Sequence, residues 1–133
     1  MTTAAKFAND PSSPAAARRF VARLLAHCPP SVREPAVLLV SELATNAVRH
    51  ARRGFSVSVE EGPGAVRIAV RDDGGGRPVV GAPTATDLSG RGLLIVKTLS
   101  EDFGIETEEN ETLVWFTLST TKDTAWLQSS KAE

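Results

Sequence analysis

The sequence is short of the residues that would tie it to a disulfide, a zinc site, a membrane or a nucleic acid. Cys28 is its one cysteine in 133 residues, so no bridge forms within the chain, and no Cys/His set has zinc spacing. No apolar run approaches the ~20 residues that a bilayer-spanning helix needs, and the N-terminus lacks the apolar core of a signal peptide. The expected compartment is therefore the cytoplasm. Formal net charge is −1, and the local clusters Arg18-Arg19, Arg49 and Arg52-Arg53 are too small to carry DNA binding. What remains is 41% hydrophobic and 23% charged, the balance of an ordinary globular protein of a single domain.

Residues 1–12 are polar and read as a frayed, flexible N-terminus. Ser13-Pro14 reads as an N-cap followed by proline in the first turn, opening a helix to about Ala26 with Ala17, Phe20, Val21, Leu24 and Leu25 on its apolar face. Pro29-Pro30 closes it. A second helix is expected to start between Ser31 and Pro35 and to run to about Arg52, with Gly54 placed to stop it. Period-2 alternation in Phe55–Val59 and Val66–Val70 predicts two strands joined by a loop at Glu61-Gly62-Pro63-Gly64. Residues 77–90 have no clear period, and a loop that long inside a compact domain usually has a use. Leu93–Leu99 reads as a short buried helix, Phe103–Glu108 and Thr112–Leu118 as two further strands, and 120–133 as a polar tail. The domain proper is thus expected at 13–119. Its architecture is α+β: a two-layer sandwich with helices on one face of a mixed, largely antiparallel sheet.

Three clusters carry the chemistry. In Ser41–Ala51, residues Glu42, Asn46, Arg49 and His50 fall within one sector of the second helix, while Val40, Leu43, Ala44, Ala47, Val48 and Ala51 form an apolar stripe. A polar helix face is ordinarily just solvated. Asn costs roughly 0.6 kcal/mol relative to Ala in a helix interior, however, so Asn46 in mid-helix argues for another use. Glu42 one turn away offers a base, and Asn46 an oxygen ligand for Mg²⁺. Asp72-Asp73-Gly74-Gly75-Gly76 alone is most simply a turn. Yet three glycines exceed what a turn requires, and they suit a backbone that approaches a flat ligand closely. Gly90-Arg91-Gly92 is either a plain connection or an anion site at a helix N-terminus; no Gly-Lys-Ser/Thr follows, so it is not a P-loop.

In order along the chain, these clusters resemble the GHKL ATP-binding superfamily of gyrases, ninety-kilodalton chaperones, histidine kinases and mismatch-repair proteins. Glu42-Leu43-Ala44-Thr45-Asn46 resembles its N box, Asp72–Gly76 the first glycine box and Gly90-Arg91-Gly92-Leu93 the second. The compact size, the run Ser41–Ala51 and the strand Val114-Trp115-Phe116 are most similar to the anti-sigma-factor serine kinases, in particular their single-domain actinobacterial members. The resemblance covers roughly residues 14–119.

It implies that Asp72 accepts a hydrogen bond from the adenine amino group, that Gly74 and Gly76 let the chain pass the base, and that Asn46 ligates Mg²⁺. Glu42 becomes the general base toward a seryl hydroxyl or a water. Arg49 and His50 reach phosphate or ribose, the backbone near Gly90, Arg91, Gly92 and Leu93 cradles the phosphates under a lid of residues 77–90, and Thr112 supports the adenine site. Three departures stand out. Leu88 occupies a place where sporulation-type relatives carry an arginine for the γ-phosphate. Asn110-Glu111 replaces a Gly-Lys or Gly-Thr pair and is expected to bring negative charge toward the nucleotide. Asp73 doubles the acid beside Asp72. The implied function is a regulator that binds ATP with Mg²⁺ and phosphorylates Ser or Thr on a small antagonist (anti-anti-sigma) protein, with a sigma factor as a second partner and a homodimer as the assembly. The alternatives are a non-catalytic ATP-dependent binding switch and a detached sensor-kinase ATPase domain. The last ranks lower because the expected helical hairpin carrying a phosphoacceptor histidine is not seen ahead of the domain, and His27 and His50 are poor candidates.

Overall fold

The computed structural model describes residues 2–50, 53–72, 100–108 and 111–120. Strand β1 (Thr2–Phe7) leads into helices α1 (Ser13–Leu24) and α2 (Pro30–His50). Strands β2 (Phe55–Gly62), β3 (Ala65–Asp72), β4 (Asp102–Glu108) and β5 (Glu111–Ser119) follow. They form one sheet in the order β1-β2-β3-β5-β4, and each neighbouring pair is antiparallel.

The N-terminal segment corrects the sequence reading, because residues 2–7 are an edge strand rather than a frayed end. Their alternation is carried by Thr3, Ala5 and Phe7, small residues apart from the last, so the period hardly registers in hydropathy. The ordering is non-local. Thr2–Phe7 pairs with Glu60–Phe55, and the Phe7 ring stacks on Phe55 at 5.3 Å and meets Phe20 edge-on at 5.9 Å. Phe7→Ala should therefore cost about 2 kcal/mol, below the range for a fully buried Phe because Phe7 is only half-buried. A urea midpoint lowered at unchanged slope is the expected result; an unchanged midpoint would mean that β1 adds nothing to the fold.

The turn into α1 is set by Asp10, whose carboxylate accepts from the Ser12 amide and from the Ser12 hydroxyl. Those donors, the hydroxyl foremost, hold the Asp10 carboxyl below its ordinary range. Ser12, one residue earlier than expected, occupies the N-cap, and the Ser13 hydroxyl instead donates to the Ala8 carbonyl at 2.7 Å. Ala17, Val21 and Leu25 are fully buried beneath α1. Helix α2 starts earlier than expected, at Pro30, where a missing N–H costs nothing. Pro35 then lies inside the helix, where it has no N–H to offer the Ser31 carbonyl. Arg18 ties the helices together through a 3.0 Å bond to the Ser41 hydroxyl.

Val32, Ala36, Leu39, Val40, Leu43, Ala44 and Ala47 of α2 pack on the inner sheet face, made by Phe55, Val57, Val59, Val66, Ile68, Val70, Val114, Phe116 and Leu118. Gly54 turns the chain from α2 into β2 at φ +124°, and a Cβ there would strike the Phe7 carbonyl oxygen. At the other end of the hairpin Gly62 pairs with Ala65, leaving Pro63-Gly64 as a tight turn with Gly64 at φ 77°. The outer sheet face carries Arg67, Ala69, Arg71, Leu113 and Trp115. The Trp115 indole covers Gly104, where an added Cβ would lie 2.5 Å from the ring, and the Arg67 guanidinium sits over the indole at 4.8 Å.

Candidate functional site

Helix α2 sorts its polar residues more finely than a wheel does. Glu34, Leu38, Thr45 and Arg49 form its exposed ridge, whereas Glu42 and Asn46 are half-buried on the flank between that ridge and the core. The expected stripe is thus split, with Arg49 on the ridge and Glu42 and Asn46 on its flank. The His50 backbone closes the helix, and its side chain lies outside the described residues. Val40, Leu43, Ala44 and Ala47 are buried and Val48 is partly so, as the apolar stripe requires.

The sheet brings a second pair of residues to the same end of the domain. Alternation along β3 puts Asp72 on the face of Val66, Ile68 and Val70, the side covered by the helices. Thr112 shares the corresponding face of β5, and the two pair across the ladder. Asp72 also pairs with Phe55, which follows shortly after the end of α2. The C-terminal half of α2, with Asn46 and Arg49, and the Asp72–Thr112 pair thus belong to one end of the fold. Glu42 opens that half one turn earlier.

Charge at this end differs from expectation in one respect. Glu111 was expected to bring negative charge toward the nucleotide. As the residue before Thr112 it points to the opposite, outer face, where its carboxylate accepts from Arg71 Nη1 at 3.0 Å. Both partners are about half exposed, so the pair adds little stability, but Glu111 leaves the inner face free of its charge. Strand parity alone predicts this, because adjacent residues face opposite sides.

Gly74, Gly76, Gly90, Arg91, Gly92 and Leu93 lie outside the described residues, as do Asp73, Leu88, the 77–90 segment and the expected helix at Leu93–Leu99. A groove of about 360 Å³ between α1 and α2, lined by Arg18, Ala22, Arg33, Glu34, Val37, Leu38 and Ser41, includes neither Glu42 nor Asn46. It is apolar in character and separate from the Asp72 end. Among the described residues no helix is long and apolar enough to cross a membrane.

The inner-face carboxylate of Asp72 can accept a hydrogen bond from an amine, and the Asn46 amide oxygen can ligate a hard cation. The family model described as "Histidine kinase-like ATPase domain" matches residues 7–118. The RsbU and RsbW domains of Rv1364c from Mycobacterium tuberculosis superpose with a TM-score of 0.70 at 21% identity, over 89% of this chain and 32% of that one. The histidine kinase AdeS of Acinetobacter baumannii superposes with a TM-score of 0.55 at 14% identity, over 90% of this chain and 68% of that one. The protein thus spans about a third of the length of the Mycobacterium chain it matches. No curated protein matches it by sequence.

Proposed function

Because the chain belongs to the histidine kinase-like ATPase domain family, we propose that it is an ATP-binding regulator of the anti-sigma-factor kinase type. It binds ATP with Mg²⁺ and passes the γ-phosphoryl group to a Ser or Thr of a small antagonist protein. One observation carries the reading: half-buried Glu42 and Asn46 occupy the helix flank at the end of the sheet where Asp72 and Thr112 pair on the inner face. The similarity to a chain with an RsbW domain supports the assignment of type.

Each residue then has a task that its chemistry suits. Asp72 accepts from the adenine amine, which distinguishes ATP from GTP, and Thr112 supports that contact from the neighbouring strand. Asn46 offers its side-chain oxygen to Mg²⁺. Glu42 takes the proton of the attacking hydroxyl on a carboxylate oxygen, while Arg49, His50 and Arg91 supply positive charge toward the phosphates. Gly74, Gly76, Gly90, Gly92 and Leu93 supply close-approaching backbone. When bound, Mg-ATP brings the phosphoryl group and the metal charge. Positioning and electrostatics by the protein account for most of the acceleration in such transfers. The antagonist, a sigma factor and a second copy of the chain are the proposed protein partners.

Incubation with labelled ATP, Mg²⁺ and candidate antagonists should yield a phosphoprotein whose label survives acid and is lost in base, the behaviour of phosphoserine. Glu42→Ala should leave ATP affinity near wild type and lower transfer by roughly 10²–10⁴-fold, the usual worth of a general base. Transfer undiminished in that variant removes Glu42 as base. ATP binding without phosphoprotein across several antagonists would replace the kinase reading with a binding switch, and an acid-labile label would point to a phosphohistidine.

A further inference from the structure

Far from the Asp72 end, the fold brings Glu61 to the adjacent pair His27-Cys28, all three side chains of types that can ligate a metal. His27 and Cys28 lie in the turn between α1 and α2, and Glu61 lies near the end of β2. One ligand atom from each falls within 4.8 Å of the other two. We propose that His27, Cys28 and Glu61 form a binding site for Zn²⁺ or a similar borderline transition-metal ion, with water completing the coordination.

The distances fit. Zinc bonds of about 2.0–2.3 Å to N, O and S in a tetrahedron imply ligand–ligand separations of roughly 3.3–3.8 Å. The 4.8 Å span closes to that range with small side-chain motions. His27 Nε2 donates to Glu61 Oε1 at 2.7 Å, so the two need to separate by less than about an ångström for a metal to replace the shared proton. The turn is already fixed by hydrogen bonds to the Cys28 backbone: its amide donates to the Leu25 carbonyl at 2.9 Å, and Arg33 Nη1 donates to its carbonyl at 2.8 Å.

Access and the donor types agree with this. Cys28 is buried at 9% exposure, while the side chains of His27 and Glu61 are 61% and 33% exposed, leaving an open side for the ion and its water. Burial first, and the Glu61 charge second, push the Cys28 thiol above its ordinary range, against the opposing Arg33 guanidinium. Binding through sulfur takes the thiolate, so a metal at this site works against that upward shift. A mixed N/S/O donor set selects zinc-like ions over Mg²⁺, which prefers oxygen. The site is separate from the nucleotide end: Glu61 lies six residues along β2 from Phe55, the Asp72 partner, or roughly 20 Å at strand rise. A metal here would staple the α1–α2 corner to the β2–β3 hairpin.

The test uses the full chain, stripped with a chelator and titrated with Co²⁺ alone and then Zn²⁺ alone. Co²⁺ should give a thiolate charge-transfer band that saturates at one equivalent, and Zn²⁺ should displace it and raise Tm by several degrees. Millimolar Mg²⁺ should not compete. Cys28→Ser should abolish the band and remove the Tm rise, while His27→Ala and Glu61→Gln should each weaken Zn²⁺ at least tenfold. Both of the latter change exposed or half-exposed side chains, so folded variants are at hand even if Cys28→Ser is unstable. No charge-transfer band, equal Zn²⁺ affinity in the His27 and Glu61 variants, or displacement by Mg²⁺ would each overturn the site.

Discussion

Phe116→Ala should lower the free energy of unfolding by about 3–5 kcal/mol, the cost of emptying a fully buried aromatic site. Phe116 is 0% exposed and is, with Phe55, one of the two largest completely buried side chains. It sits in mid-strand on β5, opposite Ile68 on one side and Phe103 on the other, where the helices close over the inner face. Its neighbours are held by two antiparallel ladders and cannot collapse into the space, so the cavity term adds to the lost transfer energy. Domains of this size are stable by about 5–15 kcal/mol, so the variant should approach or pass its unfolding midpoint near room temperature if the wild type lies at the low end. A urea titration at constant slope measures the loss. Leu38→Ala is the matched comparison. At 43% exposure on the α2 ridge it should change stability by less than about 0.5 kcal/mol, and similar losses in both would refute a core centred on Phe116.

The elements that were legible in the sequence are those whose pattern is local. Phe55–Val59 and Val66–Val70 alternate large apolar with small or polar residues, so their pairing and inward face could be read directly. The apolar stripe of α2 could be read for the same reason, since Leu43, Ala44 and Ala47 recur at helical spacing. What escaped depends on contacts between distant segments. Thr2–Phe7 is a strand because β2 offers it a ladder and Phe55 offers Phe7 a ring; nothing within residues 1–12 indicates either. The half-burial of Glu42 and Asn46 reflects how the helix is rolled on the sheet, which a wheel cannot fix. His27-Cys28 and Glu61 show no metal-ligand spacing in sequence because all of α2, the connection after it and most of β2 lie between them. The charge of Glu111 is a different case: its outward direction follows from strand parity relative to Thr112 and was open to sequence reasoning.

Asp72→Asn should weaken ATP binding by about 10- to 100-fold, the value of one charge-assisted hydrogen bond of roughly 1.5–3 kcal/mol. The substitution preserves shape and replaces an acceptor oxygen with an NH₂ donor. Against an adenine amine, the changed group faces donor with donor, or must flip and offer a neutral oxygen in place of a carboxylate. The position makes the contact matter: Asp72 is the last residue of β3, half-buried, on the helix-covered face and paired with Thr112. A nucleotide seated there would exclude water from the bond, raising its worth over that of an exposed carboxylate. GTP, whose base presents a carbonyl at the corresponding place, should lose much less than ATP, so the ratio of the two affinities should fall. Calorimetric titrations with both nucleotides separate this from a general loss of folding, which would weaken both alike. Unchanged ATP affinity with an unchanged ATP/GTP ratio would remove Asp72 from the adenine site. A fall in both by the same factor would assign it a structural role at the end of β3.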